Sequence, residues 1–84
     1  MPRVLLFGAF ADAAGWNERD LVGSTMGDIR AALVKEAPIL EDRLSRTGCL
    51  VFIEGELFSA ARVADAEPVA TDAEVGFGPP VSGG

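Results

Sequence analysis

Short apolar runs separated by polar or glycine-containing segments follow one another along the chain, and each run predicts one element of secondary structure. Residues 4–10 are almost all apolar, with Gly8 among them. A run this short indicates a strand buried on both faces rather than a helix. Residues 12–17 predict a loop, and residues 18–22 predict a second strand that ends at Gly23. The two strands would form an N-terminal hairpin with a long connection.

The clearest predicted element is a helix that begins after Thr25. Thr25 can cap its N-terminus, and Asp28 follows three residues later, as in a capping box. Apolar residues then recur at spacings of three or four, which places them on one helical face: Met26, Ile29, Leu33 and Ala37. Pro38 ends this helix because it has no N–H group and restricts the residue before it.

A second, shorter helix is predicted directly after the first. Pro38 suits its first turn, and Leu40 and Leu44 would lie on one side of it. The Thr47-Gly48 pair would stop this helix.

A second hairpin is predicted in the middle of the chain. Residues 49–53 are apolar, β-branched or aromatic, as in a central strand. Glu54-Gly55 predicts the turn, and residues 56–59 predict the returning strand.

The last predicted strand leads directly into the C-terminus. Residues 60–73 are polar and alanine-rich, and Pro68 and Val69 are the expected anchors of this segment to the core. Apolar residues then alternate with glycines, in the order Val75, Gly76, Phe77 and Gly78. Pro79-Pro80 must terminate this strand because proline cannot donate to a sheet ladder.

This order of elements predicts an α+β fold, a mixed sheet with one main helix packed on one face. If the first and last strands lie side by side in the centre of the sheet, the fold is a β-grasp, as in ubiquitin. The 84 residues suffice for one domain. We expect a β-grasp domain over residues 1–78 and an extended C-terminal tail over residues 79–84.

Composition and charge narrow the range of partners and compartments. Thirteen acidic residues against seven basic ones give a net charge of -6, which disfavours nucleic acid and anionic membranes and favours a partner with a basic surface. The single cysteine fits a reducing compartment. No signal peptide or membrane-spanning apolar stretch is recognisable. We therefore expect a soluble cytoplasmic protein.

The usual catalytic groups are missing from the sequence. It contains no histidine, no tyrosine, no Cys/His cluster for zinc and no phosphate-binding glycine loop. Cys49 lies in an apolar run and is expected to be a small buried residue rather than an activated thiol. Four acids near turns or on an exposed helix face are expected to be solvated: Glu41, Asp42, Glu54 and Glu56. The chain is therefore not expected to be an enzyme on its own.

The C-terminal tail is the remaining candidate for chemistry. Pro79-Pro80 stiffens it into an extended form, and the residues that follow are small: Ser82, Gly83 and Gly84. Seven extended residues reach roughly 20–25 Å, which is enough to enter the active site of another protein. The ionised carboxylate of Gly84 can attack the α-phosphorus of a nucleotide to form an acyl-adenylate, which a sulfur donor converts to a thiocarboxylate. The alternative is a frayed terminus without function.

The C-terminal run EVGFGPPVSGG resembles that of the MoaD family, the small subunit of molybdopterin synthase. The family pattern is an acidic residue, Val-x-Phe-x-Pro-Pro-Val, a small residue and Gly-Gly, matched here over residues 74–84. VLLFGAFADAAG resembles the first strand and loop of the family, STMGDIRAAL its helix start and FIEGELF its central hairpin. The similarity covers nearly the whole chain, but only the tail is specific.

The resemblance implies a non-catalytic carrier subunit of a sulfurtransferase complex, with no bound cofactor. A ubiquitin-activating-like adenylyltransferase of the MoeB type would use ATP to adenylate Gly84, and sulfur transfer would make the thiocarboxylate. The tail would then enter a large subunit of the MoaE type. There it would donate sulfur to cyclic pyranopterin monophosphate in molybdenum cofactor biosynthesis. The family complex is a heterotetramer with two copies of each subunit.

The match to the tail motif also implies a role for each tail residue. Gly84 would carry the sulfur, while Gly83 and Ser82 would allow the tail to thread into the partner. A proline–proline–valine segment would set the direction of the tail and contact the partner: Pro79, Pro80 and Val81. Phe77 would be either an apolar docking contact or part of the core.

Two departures from the family pattern leave other functions open. Glu54-Gly55 stands where the family commonly has Asn-Gly, and Asp72 stands where a turn glycine is usual. Asp tolerates a left-handed turn conformation, so the turn at Asp72 is expected to survive. The alternatives are a sulfur carrier of another pathway (the ThiS type of thiamine thiazole synthesis), a ubiquitin-like modifier joined to lysines, and an interaction domain with an inert tail.

Overall fold

The computed structural model describes residues 1–44 and 49–80. Five strands are present: β1 (Arg3–Leu6), β2 (Glu18–Asp20), β3 (Leu50–Ile53), β4 (Glu56–Ser59) and β5 (Glu74–Gly78). The α-helices are α1 (Ala9–Ala14), α2 (Met26–Glu36) and α3 (Glu41–Leu44). Two 3-10 turns, Pro38–Leu40 and Ala60–Arg62, precede α3 and follow β4. The predicted helix stop at Thr47-Gly48 lies outside the described residues.

The sheet places the first and last strands side by side at its centre. Its strand order is β2-β1-β5-β3-β4. β1 and β5 run parallel, with Val4 opposite Val75 and Leu6 opposite Phe77, whereas the other pairs are antiparallel. Parallel neighbours need a crossover connection, and α2 lies within that connection. The predicted α+β class and β-grasp arrangement are therefore confirmed.

The core lies between α2 and one face of the sheet. The helical face predicted from spacing is buried, and Met26, Ile29 and Leu33 are all 0% exposed. Successive strand residues point to opposite faces, so Val75 and Phe77 point inward from β5, at 0% and 1% exposure.

The predicted cap of α2 is present with one change of partner. The Thr25 hydroxyl oxygen accepts a hydrogen bond from the Asp28 N–H at 3.2 Å. The Asp28 carboxylate accepts from the N–H of Ser24 at 3.2 Å and from its hydroxyl at 3.3 Å, one residue earlier than in a standard capping box. These bonds, led by the Ser24 N–H, lower the pKa of Asp28.

The prediction for residues 4–17 is wrong in its second half. The strand ends at Leu6, and residues predicted as strand end and loop form helix α1 instead. Gly8, at φ 54°, turns the chain out of the sheet. Phe10 on α1 is then 3% exposed, so burial of its ring stabilises the helix.

The segment between β4 and β5 is fixed to α2 more firmly than predicted. Val69 is buried as expected, and its N–H donates to the Ser24 carbonyl at 2.8 Å. Pro68 is exposed and pairs with Thr25 as an isolated bridge. The carboxylate of Asp65 forms an ion pair with Arg30. These contacts hold the long connection against the start of the helix.

Both unusual turns form. Glu54 and Gly55 adopt φ 51° and 83°, as a two-residue hairpin with positive φ at both positions requires. The turn before β5 closes through a hydrogen bond from the Ala73 N–H to the Ala70 carbonyl at 3.1 Å. Asp72 is not among the positive-φ residues, so this turn survives, as expected, without the left-handed conformation that glycine would supply.

Candidate functional site

The tail leaves the domain from the central strand of the sheet. β5 is hydrogen-bonded to β1 on one side and to β3 on the other, and Val75 and Phe77 fix it in the core. Pro79 is half-buried and Pro80 is exposed. The chain therefore passes from fully buried to exposed within three residues after Phe77. We call Gly78, Pro79 and Pro80 the tail root.

Four of the predicted site residues lie outside the described part of the chain: Val81, Ser82, Gly83 and Gly84. Their roles stay predictions. Of the two roles left open for Phe77, the structure places its side chain in the core, at 1% exposure. Its backbone carbonyl accepts a hydrogen bond from the Phe7 N–H at 3.0 Å. Phe77 thus supports the tail root from within the domain.

Phe7 covers the outer surface of β5 beside the tail root. A Cβ atom built on Gly76 would lie only 2.5 Å from Cε2 of Phe7, so the ring occupies the space above this glycine. The same ring contacts Phe52 edge-on, with centroids 5.1 Å apart and planes at 62°. The glycine in β5 therefore allows an aromatic pair to form across the sheet surface.

Five apolar side chains share the sheet face opposite α2. The register aligns Leu5, Gly76, Phe52 and Leu57 in one row across four strands. Leu50 lies opposite Gly78 in the next row, where Phe7 also sits. We call the set the outer apolar face: Leu5, Phe7, Leu50, Phe52 and Leu57. Leu57 is 56% exposed and Phe7 41%, so this face offers apolar surface to a partner next to the tail root.

Gly8 also lies against the tail root. A Cβ atom at this position would be 3.7 Å from Cγ of Pro79, an ordinary contact distance. The positive φ of 54°, rather than lack of space, is therefore what favours glycine here. The turn that starts α1 thus packs beside the proline from which the tail departs.

Sequence reasoning named the tail but missed the outer apolar face. The second hairpin could have indicated part of this face. A two-residue turn at Glu54-Gly55 sets Phe52 opposite Leu57, so the two side chains lie on the same face of the sheet. The place of Phe7 in this face could not be predicted, because Phe7 follows the end of β1 and its position depends on the turn at Gly8.

Groups elsewhere in the described chain do not form a competing site. Cys49 is 2% exposed as predicted, burial raises the pKa of its thiol, and the thiol donates to the Arg43 carbonyl at 3.1 Å. Within residues 1–44 and 49–80, no three His, Cys, Asp or Glu side chains are grouped to hold a metal ion. The helices in these ranges are also too short or too polar to cross a bilayer.

Comparisons with known proteins identify the structural class to which this domain belongs. No protein-family model matches the sequence, and no curated protein matches it significantly. Among solved structures, SAMP1 from Haloferax volcanii is 33% identical, with a TM-score of 0.77 over 99% of this chain and 98% of that one.

Two more distant structures share the fold. A protein of Pyrococcus furiosus designated molybdopterin converting factor, subunit 1, is 19% identical, with a TM-score of 0.75 over 95% of this chain and 97% of that one. A chain of the BexX/CysO complex of Amycolatopsis orientalis is 16% identical, with a TM-score of 0.80 over the whole of both chains.

The central parallel pair, the packed helix and the tail root define a ubiquitin-like β-grasp protein. The similarity to the Haloferax protein, at 33% identity over nearly the full length of both chains, is more specific than fold alone. The chain belongs to the family that includes small archaeal modifier protein 1.

Proposed function

We propose that this protein is the sulfur-carrier subunit of a molybdopterin synthase and that it works through the carboxylate of Gly84. The observation that carries the proposal is the tail root. A strand held on both sides in the sheet centre runs directly into Pro79-Pro80, beside an exposed apolar face. On this proposal the apolar face docks on a partner, and the tail root directs the chain end into the active site of that partner.

The chemistry requires two activated forms of the terminus. A carboxylate oxygen of Gly84 attacks the α-phosphorus of ATP, and pyrophosphate leaves. A hydrosulfide ion then attacks the acyl carbon, the C–S bond forms as the bond to AMP breaks, AMP leaves with the electron pair, and the terminus becomes a thiocarboxylate after loss of the proton on sulfur. The activating enzyme supplies the catalytic groups, and this chain supplies a terminus without Cβ atoms at Gly83 and Gly84.

The outer apolar face is the proposed docking surface for both partners. Phe7 and Leu57 are the most exposed members of this face, and an aromatic anchor near the centre of an interface commonly carries much of the binding energy. The net charge of -6 favours a basic rim on the partner. One face would thus serve an adenylyltransferase of the MoeB type first and a large subunit of the MoaE type afterwards.

The assignment to molybdopterin synthase rests on two supports. The tail pattern over residues 74–84 resembles that of the MoaD family, and the Pyrococcus structure designated molybdopterin converting factor shares the fold. On this proposal the acceptor is cyclic pyranopterin monophosphate, and the working complex contains two copies of each subunit.

A second candidate function is conjugation to lysines of other proteins. The observation that favours it is the 33% identity to SAMP1, a small archaeal modifier protein. Both functions begin with the same acyl-adenylate, since an amine can attack the acyl carbon in place of a sulfur nucleophile.

Intact-mass measurement of the protein purified from its native cells tests the carrier function. We expect a fraction in which one oxygen of the terminus is replaced by sulfur, and co-purification of a MoaE-like protein. Deletion of Gly84 should abolish the sulfur-loaded form without unfolding the domain. Cys49→Ser is the matched control and should retain it, because the thiol is buried and takes no part in the proposed chemistry of Gly84. Sulfur loading of the protein that lacks Gly84 would contradict the mechanism.

A further inference from the structure

The two edges of the sheet differ in the side chains that they present to solvent. β2 and β4 are the edge strands. Every residue of β2 is charged and exposed, and both Glu18 and Arg19 form ion pairs. Charged side chains commonly protect an edge strand against pairing with another chain. β4 is less protected, because Glu56 is its one charged residue and the next residue, Leu57, is 56% exposed.

The hydrogen-bond pattern of the second hairpin directs backbone N–H groups of β4 outwards. The Ala60 N–H donates to the Cys49 carbonyl at 2.8 Å, and successive residues of an antiparallel strand bond alternately to its two sides. Phe58 therefore bonds to β3, whereas Leu57 and Ser59 direct their N–H groups to the open side of β4. A strand added at this side would find two donors in the alternating pattern that sheet extension requires.

A groove borders β4 on the core side of the sheet, where Phe58 lies opposite the buried Val51. Its volume is about 360 Å³, and its lining combines three apolar with three charged residues: Ile53, Phe58, Val63, Glu56, Arg62 and Glu67. The charged residues are two carboxylates against one guanidinium, in a chain of net charge -6. A long basic side chain suits this groove, because its aliphatic stem can pack on the apolar lining while its cation reaches a carboxylate.

We propose that the open side of β4 is the docking site for an extended segment of a partner protein in which apolar and basic residues alternate. The segment adds a strand to the five-stranded sheet. Its apolar side chains lie beside Leu57 and continue the outer apolar face, and its basic side chains enter the groove beside Phe58. A second copy of this chain is a poorer occupant, because it would bring another net charge of -6 to the same edge. The inference extends the docking surface of the proposed function but needs no chemistry at Gly84.

The test is an NMR titration of the isotope-labelled full chain with a synthetic peptide of alternating valine and lysine, flanked by threonines and blocked at both ends. We expect the largest amide shifts, and slower hydrogen exchange, at Leu57 and Ser59. The amide of Arg19 on β2 should not change. A peptide with glutamates in place of the lysines should bind roughly tenfold more weakly, because like charges then meet in the groove.

Ser59→Pro tests the backbone contact directly. Ser59 already has a φ of -70°, close to the value that proline imposes, and its N–H points away from β3. The domain should therefore stay folded, with the amide signals of the other strands in place. The variant removes one edge donor and puts a ring in the path of the added strand. Peptide binding, read at Leu57, should weaken roughly tenfold, whereas Ser59→Ala keeps the donor and should bind as the wild type does.

Three results would overturn the inference. The first is a lysine peptide that shifts no β4 amides or shifts mainly those of β2. The second is equal binding by Ser59→Pro and Ser59→Ala. The third is self-association through Leu57 without peptide, growing with protein concentration, which would make a second copy the occupant. Because the titration uses no activating enzyme, sulfur loading of Gly84 stays an independent test of the proposed function.

Discussion

Replacing Gly76 by alanine separates the role of the outer apolar face from the stability of the core. The new methyl group would lie 2.5 Å from Cε2 and 3.3 Å from Cζ of Phe7. Both atoms belong to the far end of a side chain that is 41% exposed. The ring, not the backbone of β5, is therefore expected to move. Its displacement breaks the edge-on contact with Phe52.

The expected loss of stability follows from the contacts and the burial that the Phe7 ring loses. An aromatic pair of this geometry contributes about 0.5–1.5 kcal/mol, and exposing about 50 Å² more of the ring costs about 1 kcal/mol. Alanine is better than glycine in a strand, which offsets about 0.5–1 kcal/mol. We expect Gly76→Ala to lower the free energy of unfolding by about 1–2 kcal/mol. For a domain of this size, that corresponds to a melting temperature lower by roughly 4–16 °C.

Gly78→Ala is the matched control on the same strand and the same face. Its methyl group would lie 3.6 Å from Cβ and 3.9 Å from Cδ2 of Phe7, which is ordinary contact, and neither glycine has a positive φ. This variant should be neutral or up to about 1 kcal/mol more stable. Urea denaturation gives both free energies, and partner binding should weaken only for Gly76→Ala. Equal stability of the two variants would refute the placement of the Phe7 ring.

Three further predictions concern the cap of α2 and the buried thiol. Thr25→Ala should lower the free energy of unfolding by about 1 kcal/mol in urea denaturation, because the Asp28 N–H loses its partner. The lowered pKa of Asp28 stabilises the fold above pH 3.8, and this contribution is lost as the pH falls through the folded-state pKa. Asp28→Asn should therefore flatten the acid side of the stability profile, and an unchanged slope there would contradict the capping role. The raised pKa of Cys49 favours the folded state below pH 9.0, and this contribution is lost as the pH rises further. Thiol reagents should therefore label Cys49 only as fast as the domain opens, and labelling at the rate of an unfolded peptide would contradict its burial.

Much of the fold could be predicted because local signals agreed with the tertiary contacts. The spacing of Met26, Ile29 and Leu33 and the cap at Thr25 defined α2. The turn at Glu54-Gly55 set the β3–β4 register although glutamate is unfavourable at positive φ. The structure supplies the reason. The Glu54 carboxylate accepts a hydrogen bond from the Glu74 N–H at 2.7 Å, which joins the hairpin turn to the start of β5.

Residues 7–14 could not be predicted because their pattern fits two structures equally well. A run of apolar residues after Leu6 is compatible with a longer strand, and periodicity alone does not distinguish it from a short buried helix. The positive φ of Gly8 and the burial of Phe10 decide the outcome. The conformation of Gly8 and the burial of Phe10 depend on contacts with distant parts of the chain. The position of Phe7 beside the tail root depends on the same contacts.

The central position of β5 determines how firmly the tail root is held in the domain. A strand paired on both sides can detach only if hydrogen bonds to β1 and β3 break together, and such openings have free energies close to that of global unfolding. An edge strand such as β4 would fray more readily. On the proposed function, insertion of the chain end into a partner and its withdrawal should therefore leave the domain folded.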